Sequence, residues 1–221
     1  HYGAAGVYST MAADRGMIGM CMTGSSQPAV LPTFAKEPRF STNPIAVAAP
    51  GLKNEHFSLD MATSTVAVGK LNIARRGGKE IPIGWAADET GTPTTDPVAA
   101  LNAVPKRLTP IGGSRELGSH KGYGLGLVVE VLCSVLSGSY TGATDVMTGE
   151  KGENMNIGHF CLAIDPNAFR EEGTFEAHMD ALMDWMRETP PLDPKQPVLV
   201  PGDPEHDARK IRVMEGIPMT D

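Results

Sequence analysis

Small and apolar residues recur at helical spacing from residue 2 to 15, with Ala4, Ala5, Tyr8, Met11 and Ala12 in the repeat and Gly16 suited to the stop. The apolar run Met17 to Met22 then reads as a short strand. Residues 23–40 break the pattern with Gly24, Ser25, Ser26, Pro28, Pro32 and Pro38, which predicts a loop. Ile45–Ala49 and Phe57–Asp60 read as buried strands separated by a Pro50-Gly51 turn. From Ala62 to Arg76 the spacing turns helical again, with Ala62, Val66 and Ile73 on one face and Gly77-Gly78 closing it.

Ile81 to Ala87 predicts a strand, Asp88 to Gly91 a turn, and Thr94 to Pro97 the opening of a short helix with proline at its first position. A longer helix follows Ser119 or His120 and stops at Gly138. Leu125, Val128, Val129, Leu132, Val135 and Leu136 repeat at three and four, and this apolar surface predicts a central, buried helix. Glycine-rich residues 149–158 lead into a strand over Ile157–Ile164, and Phe175, Met179, Leu182 and Met186 line one face of an amphipathic helix. A proline-dense stretch (190–204) and a basic segment, Arg209 to Arg212, complete the chain. Alternating helices and strands indicate an α/β or α+β protein with a mixed sheet. No G-x-G-x-x-G follows a strand, so an ordinary Rossmann fold is not supported.

Composition narrows this picture. With 221 residues, 41% of them hydrophobic, the chain can build one substantial core or two small ones. Nineteen basic against 26 acidic residues leave a formal charge of −7, which argues against nucleic acid or an anionic membrane surface as partner. The apolar runs are too short to cross a bilayer. Cys21, Cys133 and Cys161 are odd in number, far apart and set in apolar runs, as expected of reduced, buried thiols in a cytoplasmic protein. The chain opens on His1 inside a patterned segment, with no signal-peptide profile, and reads as a truncation.

Three places could carry chemistry. His1 stands at the mouth of a helix beside Gly3, Ala4 and Ala5; it is either a capping or surface residue or an acid–base group. Asp60 falls where a strand meets the segment Met61 to Ser64. It either caps the following helix or, at a strand's carboxyl end, holds a ligand hydroxyl or orients a histidine. In His120-Lys-Gly-Tyr-Gly124, free helix-start amides, the Lys121 charge and two small residues would suit an anion. Ser41-Thr-Asn-Pro44 is accounted for by turn chemistry, and the histidine spacing assigns no metal.

Taken in order, His1-Tyr-Gly-Ala-Ala-Gly6, Ser41-Thr-Asn-Pro-Ile-Ala46, Leu59-Asp-Met-Ala-Thr-Ser64, Ile81-Pro-Ile-Gly-Trp-Ala86 with Thr94-Thr-Asp-Pro97, and His120-Lys-Gly-Tyr-Gly-Leu125 resemble the type-2 malate/L-lactate dehydrogenase family. The resemblance runs from His1 to about Met214. It implies a mixed-sheet, non-Rossmann NAD(P)-binding fold of the sulfolactate/malate dehydrogenase-like type. It also implies NAD- or NADP-dependent hydride transfer with a small 2-hydroxy or 2-oxo acid, malate or lactate first, and a homodimer. A cyclic imino-acid reductase on the same scaffold, or a non-catalytic cofactor-binding paralogue, are the other readings.

By the same resemblance His1 matches an acid–base histidine and Ser25 a loop serine near the cofactor. Asp60, Met61 and Ala62 match a cofactor-contacting strand end, with Asp60 also supporting catalysis. Lys121 and Gly122 match a cofactor-contacting pair, and Asp203, Pro204 and Glu205 a late loop that closes on the cofactor. Residues 1–189 would form the nucleotide-binding and catalytic core, and 190–221 a returning proline-rich segment. The family's N-terminal region, with a Ser-His-Gly motif and a carboxylate-binding arginine, is absent from this sequence. Gly24 replaces a common asparagine, and the loop at Ser26-Gln-Pro28 is longer than usual.

Overall fold

The computed structural model describes residues 3–25, 27–139 and 156–219. His1, Ser26 and residues 149–155 of the glycine-rich stretch therefore lie outside the described residues. Cα packing divides the chain into two compact units. The first comprises His1–Gly3, Met22–Ile45 and Met61–Phe160, and the second Ala4–Cys21, Ala46–Asp60 and Cys161–Asp221.

The second unit holds most of a four-stranded sheet in the order β3-β2-β1-β6, from β1 (Ile18–Thr23), β2 (Ile45–Ala49), β3 (Phe57–Met61) and β6 (His159–Ile164). β2 alternates half-buried and buried positions as a core strand should, with Ala46 and Ala48 fully buried. β3 is not the buried strand its sequence suggests: it is half-buried at a sheet edge, and Asp60 is exposed.

Helix α1 (Gly6–Ala13) turns Gly6, Ser9 and Ala13 inward and leaves Tyr8 and Met11 exposed. The small residues are inside because the helix packs directly on backbone, where a Cβ at Gly19 of β1 would collide with the Ser9 carbonyl. In α5 (Thr174–Arg187) the expected stripe is also displaced. Asp180 and Met183 are buried, whereas Leu182 and Met186 are exposed. The reason is electrostatic, since Asp180 accepts backbone N–H bonds from Leu52 (3.0 Å), Lys53 (2.7 Å) and Asn54 (3.2 Å). The stretch read as loop and basic tail carries a helix, α6 (Asp203–Glu215), entered from Gly202 at φ +106°.

The first unit is built on Val30, Phe40, Val66, Leu71, Ile81, Ala86, Ala100 and Leu108, with Trp85 and Tyr123 packed against them. The segment 23–40 is irregular as expected, yet it delivers Val30 and Phe40 to this core through single bridges, Val30 to Phe40 and Val30 to Leu108. The strand over Ile81–Ala87 shrinks to β4 (Ala86–Ala87), paired antiparallel with β5 (Pro93–Thr94) so that Ala86 faces Thr94. Pro82 has no N–H to donate and Gly84 sits at φ +90°, so the chain turns before it can extend. α2 (Val68–Arg76) starts six residues later than its spacing suggests. α3 (Pro97–Asn102) forms as expected, with the Asp96 side chain accepting from the Val98 N–H at 2.8 Å.

α4 (Ser119–Val129) runs into a π-helical stretch, Glu130–Val135. The expectation of a buried helix fails here. Leu125, Val128, Val131, Val135 and Leu136 are exposed, and the inward positions are Ser119, Gly122, Gly126, Val129, Cys133 and Ser134. A Cβ at Gly122 would lie 2.5 Å from the Ile111 nitrogen, and one at Gly126 2.5 Å from the Phe40 ring. Close approach selects the smallest residues for the inner face. Cys161, expected to be buried, is exposed on β6. Among the described residues no helix is long and apolar enough to cross a membrane.

Candidate functional site

A cavity of about 760 Å³ opens in the first unit between the end of β1, the segment Ser41–Pro44 and the Val104-Pro105-Lys106 turn. Thr23, Gly24, Ser25, Ser41, Thr42 and Asn43 give it hydroxyl, amide and backbone groups, and Lys106 is its one charged lining residue among those described. The Lys106 ammonium donates to the Leu101 (2.5 Å) and Ala103 (3.0 Å) carbonyls at the end of α3. Those bonds fix a positive group in the wall. The size falls within the range of roughly 300–1,000 Å³ usual for small-molecule sites.

Asn43 is the most constrained residue of this wall. It is 1% exposed and adopts φ +36°, a left-handed conformation that few residues other than glycine take. Its Nδ2 donates to the Gly126 carbonyl (3.0 Å) and to Glu130 Oε1 (2.8 Å), which places a side-chain amide where α4 widens into its π stretch. Turn chemistry alone does not describe it. Asn43 Oδ1 has no partner among the described residues. A Cβ at Gly24 would meet Ser134 Oγ at 2.5 Å, so a larger residue there requires that hydroxyl to turn away. An orphaned acceptor, several hydroxyls and a fixed cation fit a polar ligand that carries both N–H or O–H donors and negative charge, as a nicotinamide nucleotide does.

Of the residues singled out in the sequence, Ser25 lines this cavity. Asp60 does not cap the segment that follows it. Its Oδ2 accepts from the Gly6 N–H at 2.8 Å, so it caps α1, 54 residues earlier. A Cβ at Gly6 would lie 3.3 Å from that carboxylate, so a larger residue there asks the Asp60 side chain to give by a few tenths of an ångström. Met61 and Ala62 are half-buried at the end of β3. Lys121 is exposed and has no carboxylate partner among the described residues.

The start of α4 offers an anion less than expected. The Ser119 N–H donates to the Ser114 carbonyl and the Lys121 N–H to Gly118, both at 2.9 Å, while Gly122 is buried against Ile111. Asp203, Pro204 and Glu205 form the first turn of α6 rather than a loop. Arg187 donates to both Asp203 oxygens, Nε to Oδ2 (3.1 Å) and Nη2 to Oδ1 (2.8 Å), and the Val200 N–H adds a bond at 3.0 Å. The Arg187 hydrogen bonds hold the Asp203 carboxyl below its ordinary range. His1 lies outside the described residues.

Sequence reasoning passed over Lys106, which sits in no motif, and over the buried amide of Asn43. Asn43 lies within the Ser41-Thr-Asn-Pro44 motif, whereas Lys106 lies in none.

This chain has the fold of a group of solved dehydrogenases. Malate dehydrogenase from Entamoeba histolytica matches with a TM-score of 0.87 at 32% identity over 99% of this chain and 62% of that one. Delta1-piperideine-2-carboxylate reductase from Pseudomonas syringae matches with a TM-score of 0.81 at 28% identity, over all of this chain and 62% of that one. The malate/L-lactate dehydrogenase family profile matches residues 1–221, and the chain belongs to that family. It is 40% identical to a malate dehydrogenase of Pyrococcus horikoshii over 99% of its length and 59% of the relative's. It is 36% identical to a (2R)-3-sulfolactate dehydrogenase (NADP(+)) of Chromohalobacter salexigens, and 34% to a ureidoglycolate dehydrogenase (NAD(+)) of Escherichia coli K12. Those alignments cover 96% and 100% of this chain and 59% and 60% of the relatives. The chain thus spans about three fifths of the length of these relatives.

Proposed function

We propose that the protein containing this chain is a nicotinamide-dependent oxidoreductase that moves a hydride between NAD or NADP and a small 2-hydroxy or 2-oxo acid, with malate/oxaloacetate ahead of lactate/pyruvate. Family membership along the whole chain carries the reading, and the Lys106-bearing cavity of the first unit gives it a site suited to an anion. When bound, the nicotinamide supplies the hydride acceptor or donor at its ring carbon.

The residues divide the remaining work. His1 takes the substrate hydroxyl proton on its imidazole and returns it in the reverse direction. Asp60 fixes the start of α1, five residues beyond His1, through the Gly6 N–H; its other oxygen is left to accept a hydroxyl. Ser25 and Asn43 supply a hydroxyl and an acceptor at the cavity wall, and Lys106 faces a phosphate or carboxylate. Met61, Ala62, Lys121 and Gly122 contribute further cofactor contacts. Asp203 is tied to Arg187 and shapes the late segment, leaving Glu205 beside Pro204 exposed for contact. The protein forms a homodimer, and the exposed apolar row of α4 and its π extension is the face suited to a second copy.

A second reading, a cyclic imino-acid reductase on the same scaffold, is favoured by the likeness to the piperideine-carboxylate reductase. A panel of oxaloacetate, pyruvate and a cyclic imine with NADH and NADPH, run on the complete protein, separates the two. No oxidation of either cofactor with any substrate overturns both. In the active case, H1A lowers kcat by roughly a hundredfold or more with cofactor affinity retained. Nearly intact turnover removes His1 from the acid–base role.

A further inference from the structure

The three thiols sit in different surroundings. Cys133 is fully buried in the π-helical stretch of the first unit. Cys21, 1% exposed on β1, and Cys161, exposed on β6, belong to the second unit and lie on hydrogen-bonded neighbour strands. Their sulfurs are 3.0 Å apart, joined by a thiol–thiol hydrogen bond. A disulfide has its sulfurs at ~2.05 Å, so closure asks for about 1 Å of approach from the 3.0 Å contact.

We propose that Cys161 and Cys21 form a reversible thiol-oxidation site for small hydroperoxides, with Cys161 as the attacking thiol and Cys21 as the resolving one. The roles follow from access: Cys161 is the exposed residue of the pair, and Cys21, 1% exposed, has its sulfur already in contact with the Cys161 sulfur. The Cys161 thiolate attacks a peroxide oxygen, the O–O bond breaks, and Cys161 becomes a sulfenic acid as the first water or alcohol leaves. The Cys21 sulfur then gives up its proton and attacks the Cys161 sulfur. The S–OH bond breaks and a water leaves. Two thiols lose two electrons and become one disulfide, and the hydroperoxide takes up those electrons. A reducing dithiol reverses the bridge by exchange. The bridge joins residues 140 apart in sequence and ties the edge strand β6 to β1.

The test treats the purified chain with equimolar hydrogen peroxide, followed by alkylation, intact mass and peptide mapping. The expected product has lost two hydrogens, leaves Cys133 alkylated, yields a peptide linking Cys21 to Cys161, and returns to three thiols with dithiothreitol. C161S forms no link at the same dose. C21S, or C21A where the serine variant fails to fold, accumulates a sulfenic acid at residue 161 that dimedone captures. A link through Cys133 overturns the proposal, as does sulfinic acid at Cys161 without any disulfide. It fails equally if all three thiols persist while glutathione, in a parallel sample at the same dose, is oxidised.

Discussion

Asp180, Asp60 and Asp203 each spend a carboxylate on backbone amides, two of them far away in sequence. Asp180 is the clearest case, a buried acid that takes three successive N–H groups and so organises the turn from Pro50 to Asn54. Gly51 belongs to that arrangement, since a Cβ there would lie 2.7 Å from both the Asn54 carbonyl and Asp180 Oδ1. D180A removes a charged acceptor shared by three N–H groups, and should lower the unfolding free energy by about 2 kcal/mol in urea denaturation. Asp203 adds a dependence on pH. Its folded carboxyl titrates below its ordinary range, with the Arg187 hydrogen bonds as the main cause. The stability it contributes is therefore complete above the unfolded value of ~3.9 and is lost as pH falls through the lower, folded value. D203N should be less stable than wild type by about 2 kcal/mol at neutral pH, and the gap should close below about pH 4. Tm measured across that range checks the sign.

Periodicity located α1, α4 and α5, but most of the apolar row it marked as the buried side of α4 turns outward, and in α5 Leu182 and Met186 do the same. An apolar repeat reports where bulk lies along a helix, not what the helix packs against. Where the partner is backbone, as at Ile111 and Gly19, only glycine, serine and alanine allow the approach, and the larger residues turn outward. G122A tests this: its Cβ would enter the Ile111 backbone, and the cost should be about 1–3 kcal/mol, whereas G124A, in open space, should be neutral or better. β1, β2 and the Asp96-capped α3 were readable because local rules suffice for them. The start of α2 was not, because distant segments take the hydrogen bonds ahead of it, such as the Thr65 N–H to the Thr109 carbonyl. The collapse of the strand at Ile81 follows from Pro82 and Gly84, whose local effect the apolar run masked. In the candidate site, the motif around Asn43 was visible, but its orphaned oxygen and the nearby Lys106 appear only once the chain has folded.

At the scale of the molecule, each compact unit is assembled from three separated stretches of chain. The core of the first unit draws Val30 and Phe40 from one stretch and Val66, Leu71 and Leu108 from another. A fragment spanning 61–160 lacks the first pair and should be unfolded by circular dichroism and by proton NMR dispersion. Supplying residues 22–45 in trans or by fusion should recover some of that dispersion. A fragment that folds cooperatively by itself would contradict the shared core.

This interleaving constrains inheritance as well as folding. A unit made from three stretches cannot be lifted out of a gene by one recombination event, nor exchanged whole with another lineage. The relatives of this chain carry names as different as malate, sulfolactate and ureidoglycolate dehydrogenase at comparable coverage of it. With exchange of a single unit closed to such a chain, changes within either unit have to arise by point changes and loop edits in place.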